Sequence, residues 1–436
     1  MRFRTLLVVA GLVYLCVLSG MSLPLMAQGG GVFHGSSEDP AIAYSTAPLN
    51  NVVADVNRKL QDGTVHLAFE GRSGYLQSAL DALEIPVDSQ MLVFSPTSLQ
   101  RRLIGESNPR ALFFNDRVVL GWVRDGGILE VAAHDASEGV VFYTLDQRAD
   151  ASTGPPQFKR AFECLGCHMA GDTLGVPGLL VFSTTRPSDP RSFGLPSPVD
   201  QNTPLQKRFG GWFVTGSTGS ALHMGNDAAA LDGRADRALT SVEGLFDPEG
   251  YRAQHSDIAA LLVLSHQARM TNLLTRAGWE ARAVDPRLHP PFADASPEED
   301  VRIAAMMSGV ANEVVDYLLF IDEARLTAPV RGSSGFAERF SAAGPRDRKG
   351  RSLHQLDLNR RLMRYPCSYL IYSAAFDALP PAARDPIYRR MWQVLSGEER
   401  DARYLSALSL ADRQAIVEIL RDTKNDLPPY FRDVTR

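Results

Sequence analysis

Cysteine is scarce in this chain, with four in 436 residues. Cys16 lies in an N-terminal apolar run, Cys164 and Cys167 form one close pair, and Cys367 stands alone. An exported protein stapled by disulfides uses more of them, in even numbers. Hydrophobic cores must therefore do the stabilising, and the close pair is there for chemistry. Positive charge is also in deficit. A formal net charge of −5 argues against nucleic acid or an anionic membrane surface as partner. Beyond the N-terminal run, no apolar stretch approaches the roughly 20 residues that cross a bilayer. No internal repeat is present. No Gly-x-Ser-x-Gly elbow stands between a strand and a helix, and Gly216-Ser217-Thr218-Gly219 lacks the Lys of a phosphate loop. Ser-His-Asp catalysis is therefore not supported, and no phosphate loop is present.

What is present begins at the N-terminus. Met1-Arg2-Phe3-Arg4 carries two positive charges, Leu6 to Leu18 is apolar, and small Ala27 precedes Gln28. This is the layout of a secretory signal peptide, predicting residues 1–27 as the leader with cleavage after Ala27. The alternative is an uncleaved N-terminal anchor, for which the run is short. Tyr14-Leu15 before Cys16 are not the small residues that lipidation requires. The expected location is the periplasm, or otherwise outside the cytoplasm.

The rest has ordinary globular composition, 44% hydrophobic and 22% charged, and length enough for two or three units. Residues 28–155 read as a strand-bearing domain, 156–250 as a segment of long irregular loops, and 251–436 as a helical domain. Residues 28–50 are expected to be extended, and Val65–Phe69 to form a short strand. Ser73 precedes a helix over Tyr75–Leu83 with Leu76, Ala79, Leu80 and Leu83 on one face. Leu112–Phe114, Arg117–Val123, Ile128–Ala132 and Val140–Leu145 read as an antiparallel meander, with turns at Asn115-Asp116 and Asp125-Gly126-Gly127. A short helix carrying the Cys pair follows. Ile258–Leu274 is apolar on several faces, as in a buried helix. Val301–Ile321, Leu353–Ala378, Pro386–Leu395 and Ala411–Arg421 are further expected helices, and Gly332–Gly350 is expected as a mobile surface loop. The predicted fold class is α+β, an N-terminal antiparallel β region and a mainly helical C-terminal region flanking the Cys pair.

That pair belongs to Cys164-Leu165-Gly166-Cys167-His168. Cys-x-x-Cys-His is the sequence that fixes haem c. On a helix, positions i, i+3 and i+4 share a face, so two thiols can add to two vinyl groups of one porphyrin while the next imidazole reaches the iron. Cys164 and Cys167 are thus the expected thioethers and His168 the proximal ligand. Chance placement of four Cys and nine His gives this signature in roughly one such chain in a thousand. A thioredoxin-like pair would need a surrounding βαβ pattern, and a zinc site would need a second close pair; neither is present. Leu174-Gly175-Val176-Pro177-Gly178-Leu179 resembles the Gly-Pro-x-Leu stretch of small class I cytochromes c, with Val176 in place of Gly. That resemblance implies that the Pro177 carbonyl accepts the His168 Nδ1–H.

The other axial position decides the function. Met224 and His223 are the first candidates. They lie among glycines that let backbone approach a flat porphyrin, and well downstream, as the distal Met does in those small cytochromes. His266, on the expected buried helix with Met270 on the same face, is the second. His34, His66, His134, His289 and His354 read as structural or surface residues, and Cys367 as buried and unreactive.

Phe162–Leu180, Gly210–Gly216, Leu222–Asn226, His255–Asp257 with Ser265–Gln267, and Tyr365–Tyr372 together resemble a family of large bacterial proteins known for a cytochrome c-type domain. The resemblance implies one covalent haem, carried by Cys164, Cys167 and His168, and no particular substrate. The expected function is electron transfer with a redox partner protein. The alternative is a peroxidase- or oxygenase-like haem enzyme with an open distal site, in which His223 or His266 serves as acid–base catalyst. The haem is expected in a cleft between the strand-bearing and helical regions.

Overall fold

The computed structural model describes residues 31–148, 154–185, 196–227, 239–288 and 296–434. The predicted leader, residues 1–27 with Cys16, lies outside them, as does His289. Two short helices come first, α1 (Val52–Gln61) and α2 (Leu76–Ala82). On α2 and just beyond it the expected face of Leu76, Ala79, Leu80 and Leu83 is fully buried.

Five strands follow, β1 (Met91–Val93), β2 (Arg110–Phe114), β3 (Val118–Trp122), β4 (Ile128–Asp135) and β5 (Gly139–Asp146). The expected meander is present as β2 to β5, antiparallel throughout. The turn signals act as read: Asn115 Oδ1 accepts the amides of Arg117 and Val118, and Asp125 takes a left-handed φ of 59°. Strand β6 (Lys159–Arg160) adds to β5. A helical turn, α3 (Leu165–His168), then precedes β7 (Phe182–Thr184), β8 (Pro196–Pro198) and β9 (Trp212–Phe213). Strand β9 returns to pair with β1, closing a seven-stranded sheet in the order β6-β5-β4-β3-β2-β1-β9.

The sheet is buried on both faces, which explains why its strands read as nearly continuous apolar runs. One face carries the cross-strand row Phe114, Val119, Ala132 and Phe142, packed with the C-terminal helices. The opposite row, Phe113, Leu120, Val131 and Tyr143, packs with α1, α2 and Trp279. Each large side chain so buried contributes roughly 1.5–3 kcal/mol.

The helical region contains α4 (Ile258–Ala283), α5 (Pro297–Leu318), α6 (Phe336–Ala342), α7 (Ala374–Asp377), α8 (Pro381–Ser396), α9 (Ala402–Ala407) and α10 (Leu410–Thr423). Helix α4 is buried all round. Its N-cap, Asp257, accepts the amides of Ala259 and Ala260 with one oxygen and those of Ser333 and Ser334 with the other. Val32–Arg436 forms one unit. Within it the sequence segments interleave, since β9 comes from residues 156–250 and Trp279 from residues 251–436.

The fold is α+β, as expected, with four local corrections. Residues 31–50 form consecutive turns, not an extended run; the Asp39 carbonyl accepts two amides, those of Ile42 and Ala43. Val65–Phe69 is not a strand, because no strand lies beside it and the Ala68 carbonyl accepts the Ser78 hydroxyl. Leu353–Ala378 is not a helix. Pro366 supplies no amide and disfavours a helical Tyr365. Ser368 and Ser373 then cap a 3₁₀ turn at Tyr369–Tyr372 and the short α7. Gly332–Gly350 is an ordered segment that includes α6, whose Phe336 and Phe340 enter the core.

Candidate functional site

The chain enters the Cys pair through a 3₁₀ turn, Phe162–Cys164, that continues directly into α3. The pair therefore lies on helical backbone, as expected. Leu165 pins the turn by packing against both cores. Cys164 is half-buried, Cys167 is exposed, and neither is bonded to another cysteine.

After His168 the chain doubles back. Leu174 and Gly175 adopt left-handed φ values of 65° and 73°, and the Gly178 amide returns to the His168 carbonyl at 2.9 Å. The Gly178 carbonyl then lies 2.9 Å from His168 Nδ1. This corrects the expectation for Pro177, whose carbonyl is occupied by the Val140 amide of β5 at 3.2 Å. The carbonyl that faces the imidazole belongs to the next residue, because Pro177 is claimed by the sheet.

Gly178 and Leu179 are held by α4. Asn272 Oδ1 accepts the Leu179 amide and Asn272 Nδ2 donates to the Leu179 carbonyl, both at 2.9 Å. A Cβ on Gly178 would lie 2.3 Å from Asn272 Oδ1, so only glycine fits. On its other side the His168 ring leans on Phe142 of β5, with centroids 4.8 Å apart. The half-buried imidazole thus sits at the seam between the sheet and the loop that α4 grips. The motif does not line the cavities at the Asp135 end of β4.

An ion pair lies near the motif. Arg110 of β2 and Glu130 of β4 are 2.9 Å apart and largely buried. Burial first, and then Glu130 and Glu163, push the Cys164 thiol up to about 11. It is neutral near pH 7, unlike the low-pKa thiolate of a dithiol redox pair. Burial also lowers the His168 pKa, opposed by the Gly178 carbonyl. Among the described residues His168 Nε2 has no hydrogen-bond partner. A neutral ring with Nδ1 committed to a carbonyl and Nε2 left over is the donor set that an axial haem ligand requires. The residues present fit the haem that the motif implies.

The other sequence candidates divide. The loop holding His223 and Met224 is closed by Asn226, whose amide group pairs with both backbone groups of Val214. The Met224 amide donates to the Arg208 carbonyl, and its sulphur lies 3.6 Å from Ser183 Oγ. Neighbouring Leu222 is 77% exposed. His223 is half-buried beside Gly225, where a Cβ would meet its Nδ1 at 3.0 Å. His266 is removed as a distal ligand. Its Nδ1 meets Gln201 Oε1 at 2.6 Å and its Nε2 meets Ser368 Oγ at 2.7 Å. The ring is fully buried and stacks on Phe320 and Tyr317. Met270 is core packing, and Cys367 is fully buried, its thiol pushed far up by desolvation.

Sequence reasoning missed Gly178, Asn272, Phe142 and the Arg110–Glu130 pair. The spacing Gly-Leu after Pro177 was a faint signal for the first. The others come from β2, β4, β5 and α4, and no local pattern marks them. No family model matches the chain, and no curated protein or solved structure matches it.

Proposed function

We propose that this chain is an exported, single-haem c-type cytochrome, related to the large bacterial proteins with a cytochrome c-type domain, and that it transfers electrons with a redox partner protein. The observation that carries this reading is the placement of Cys164, Cys167 and His168 on one helical stretch, with His168 Nδ1 against the Gly178 carbonyl. Cys164 and Cys167 would hold the porphyrin by adding their S–H groups across its two vinyl groups. His168 Nε2 would bind the iron. A haem so held supplies an iron centre that gains and loses one electron.

The protein's own part is orientation. The Gly178 carbonyl keeps the His168 proton on Nδ1, and so keeps the lone pair on Nε2. Asn272 fixes that carbonyl by accepting the N–H of the same peptide, from Leu179, and by donating to the Leu179 carbonyl, and Phe142 limits ring rotation. Met224 or His223 is proposed as the second residue that would hold the iron. In the enzymatic alternative the two hydrogen bonds to His266 leave it no free nitrogen, so His223 would be the acid–base group.

The test is expression of the full chain in a bacterium that matures haem c. The expected product is a haem-staining band that survives denaturing electrophoresis, one haem per chain, and a low-spin spectrum. A chain without covalent haem under those conditions overturns the reading. A high-spin ferric iron that binds cyanide rapidly overturns the electron-transfer part and favours the enzyme.

A further inference from the structure

The ion pair beside the motif is more than the sheet needs. Arg110 and Glu130 alternate along β2 and β4 with Leu112 and Ala132, and so lie on the face that also carries Phe142. Arg110 Nη2 and Glu130 Oε2 are 2.9 Å apart, with side chains only 18% and 10% exposed. A buried ion pair adds little net stability, and apolar residues of similar volume serve as well. This one also costs the sheet a side chain. Gly121 of β3 is paired with Glu130, and a Cβ on it would lie 2.4 Å from Arg110 Nη2. The guanidinium therefore lies against bare backbone in a central strand, where glycine weakens the strand.

Both charges are held in place. Glu130 Oε1 accepts the Leu99 amide at 3.0 Å, which leaves Oε2 to face Arg110. Both are also close to the motif. Phe142 is the cross-strand partner of Ala132, two residues along β4 from Glu130, so Glu130 and Phe142 are diagonal neighbours on one face. The His168 ring leans on that same Phe142, with centroids 4.8 Å apart. Cys164 packs against the same core. Arg110 opposes positive charge at His168, and Glu130 favours it.

Electron transfer changes the charge of such a site by one. One electron arrives from the redox partner, and no bond is made or broken. Away from bulk water a fixed charge acts on that equilibrium with little screening. A carboxylate favours the oxidised site, and a guanidinium favours the reduced one.

We propose, resting on the haem reading above, that Arg110 and Glu130 are a fixed charge pair that tunes the reduction potential of the haem site, Glu130 lowering it and Arg110 raising it.

The experiment is spectroelectrochemical titration of the full chain, matured in a bacterium that attaches haem c, for the parent, Glu130→Gln, Arg110→Gln and the double variant. Glu130→Gln keeps an acceptor for the Leu99 amide. It should shift the ferric–ferrous equilibrium toward ferrous by roughly three- to tenfold, about 28–59 mV upward for one electron. Adding Arg110→Gln to that variant should lower the potential again by a similar amount, and it leaves no buried carboxylate unpaired. A purely structural pair would not move the potential in opposite directions. If Glu130→Gln does not fold, Arg110→Gln against the double variant decides in its place: Glu130 is then the only charge that differs, and the double variant should lie higher. A parent that carries covalent haem, with Glu130→Gln leaving the potential unmoved or lowered, or with both substitutions moving it the same way, overturns the charge pair and leaves the haem reading intact. A parent without covalent haem overturns both.

Discussion

Asn272 and Leu179 form a closed two-bond pair, amide to Oδ1 and Nδ2 to carbonyl, each 2.9 Å long. Through it a buried residue of α4 sets the position of the loop that meets His168. Asn272→Leu would keep most of the volume and strand both backbone groups of Leu179. A loss of about 2–4 kcal/mol in urea unfolding is expected, because each buried unpaired group costs about 1–3 kcal/mol. Loss of less than about 0.5 kcal/mol would show that the pair does not hold the loop.

Two glycines of that loop give a sharper comparison. Gly178→Ala drives a methyl into Asn272, while Gly171→Ala meets nothing within 4 Å and requires no positive φ. Gly171→Ala should leave stability within about 0.5 kcal/mol of the parent. Gly178→Ala should cost about 1–3 kcal/mol and broaden the His168 ring resonances in NMR spectra. Equal effects of the two substitutions would contradict the packing described.

Much of this arrangement could be read in the sequence, and the rest could not for identifiable reasons. The meander was legible because β2 to β5 are joined by short turns whose Asn and Asp residues cap their own backbone. The burial of α4 was legible because its apolar residues cover every face. The helix expected over Leu353–Ala378 failed because its apolar residues are buried by tertiary contact and not by helical periodicity, and Pro366 interrupts it. The Cys pair was legible because its chemistry is local. The carbonyl facing His168 was misplaced by one residue because β5 competes for Pro177, and β5 lies more than thirty residues upstream. His266 was ambiguous for a related reason. Its partners, Gln201 and Ser368, are 65 and 102 residues away.

The cysteines should separate cleanly by role. On the proposed reading, Cys164→Ser and Cys167→Ser should each prevent one thioether, and the double variant should lose haem staining after denaturation. Cys367→Ser should keep full staining. It should instead cost about 1–3 kcal/mol of stability, because a hydroxyl would replace a thiol in a fully buried, apolar site. Loss of staining in Cys367→Ser would mean that this thiol takes part in attachment.

If the proposed haem is bound, its second iron ligand can be assigned by single substitutions read in the ferric spectrum. Met224→Ala should abolish the Met–iron charge-transfer band near the red edge and convert the iron to high spin. If His223 is the ligand instead, His223→Ala gives the conversion and Met224→Ala does not. His266→Ala should leave the spectrum unchanged and destabilise the fold by about 2–4 kcal/mol, since it strands Gln201 and Ser368. A spectral change in His266→Ala would reinstate it as a ligand.

A buried and a half-buried group oppose each other in acid. Burial lowers His266 from 6.5 to about 3, and burial raises Glu323 from 4.5 to about 7, against the Leu362 amide and the charges of Arg361 and Arg208. For His266 the unfolded chain binds the proton first. Its contribution is therefore full above pH 6.5 and is lost on acidification at about 1.4 kcal/mol per pH unit. For Glu323 the folded chain binds the proton first, so acidification from pH 7 to 4.5 adds stability, up to about 3 kcal/mol. Between pH 6.5 and 4.5 the two slopes cancel, and below 4.5 only the His266 loss remains. From these two groups a plateau followed by an acid decline is expected in urea midpoints measured from pH 7.5 to 4. Glu323→Gln keeps an acceptor for the Leu362 amide and removes the compensating slope. In that variant the decline should begin near pH 6.5, and at pH 7.5 the protein should be more stable than the parent by about 1–3 kcal/mol. A Glu323→Gln profile parallel to the parent would show that this carboxylate is already ionised and solvated in the folded chain.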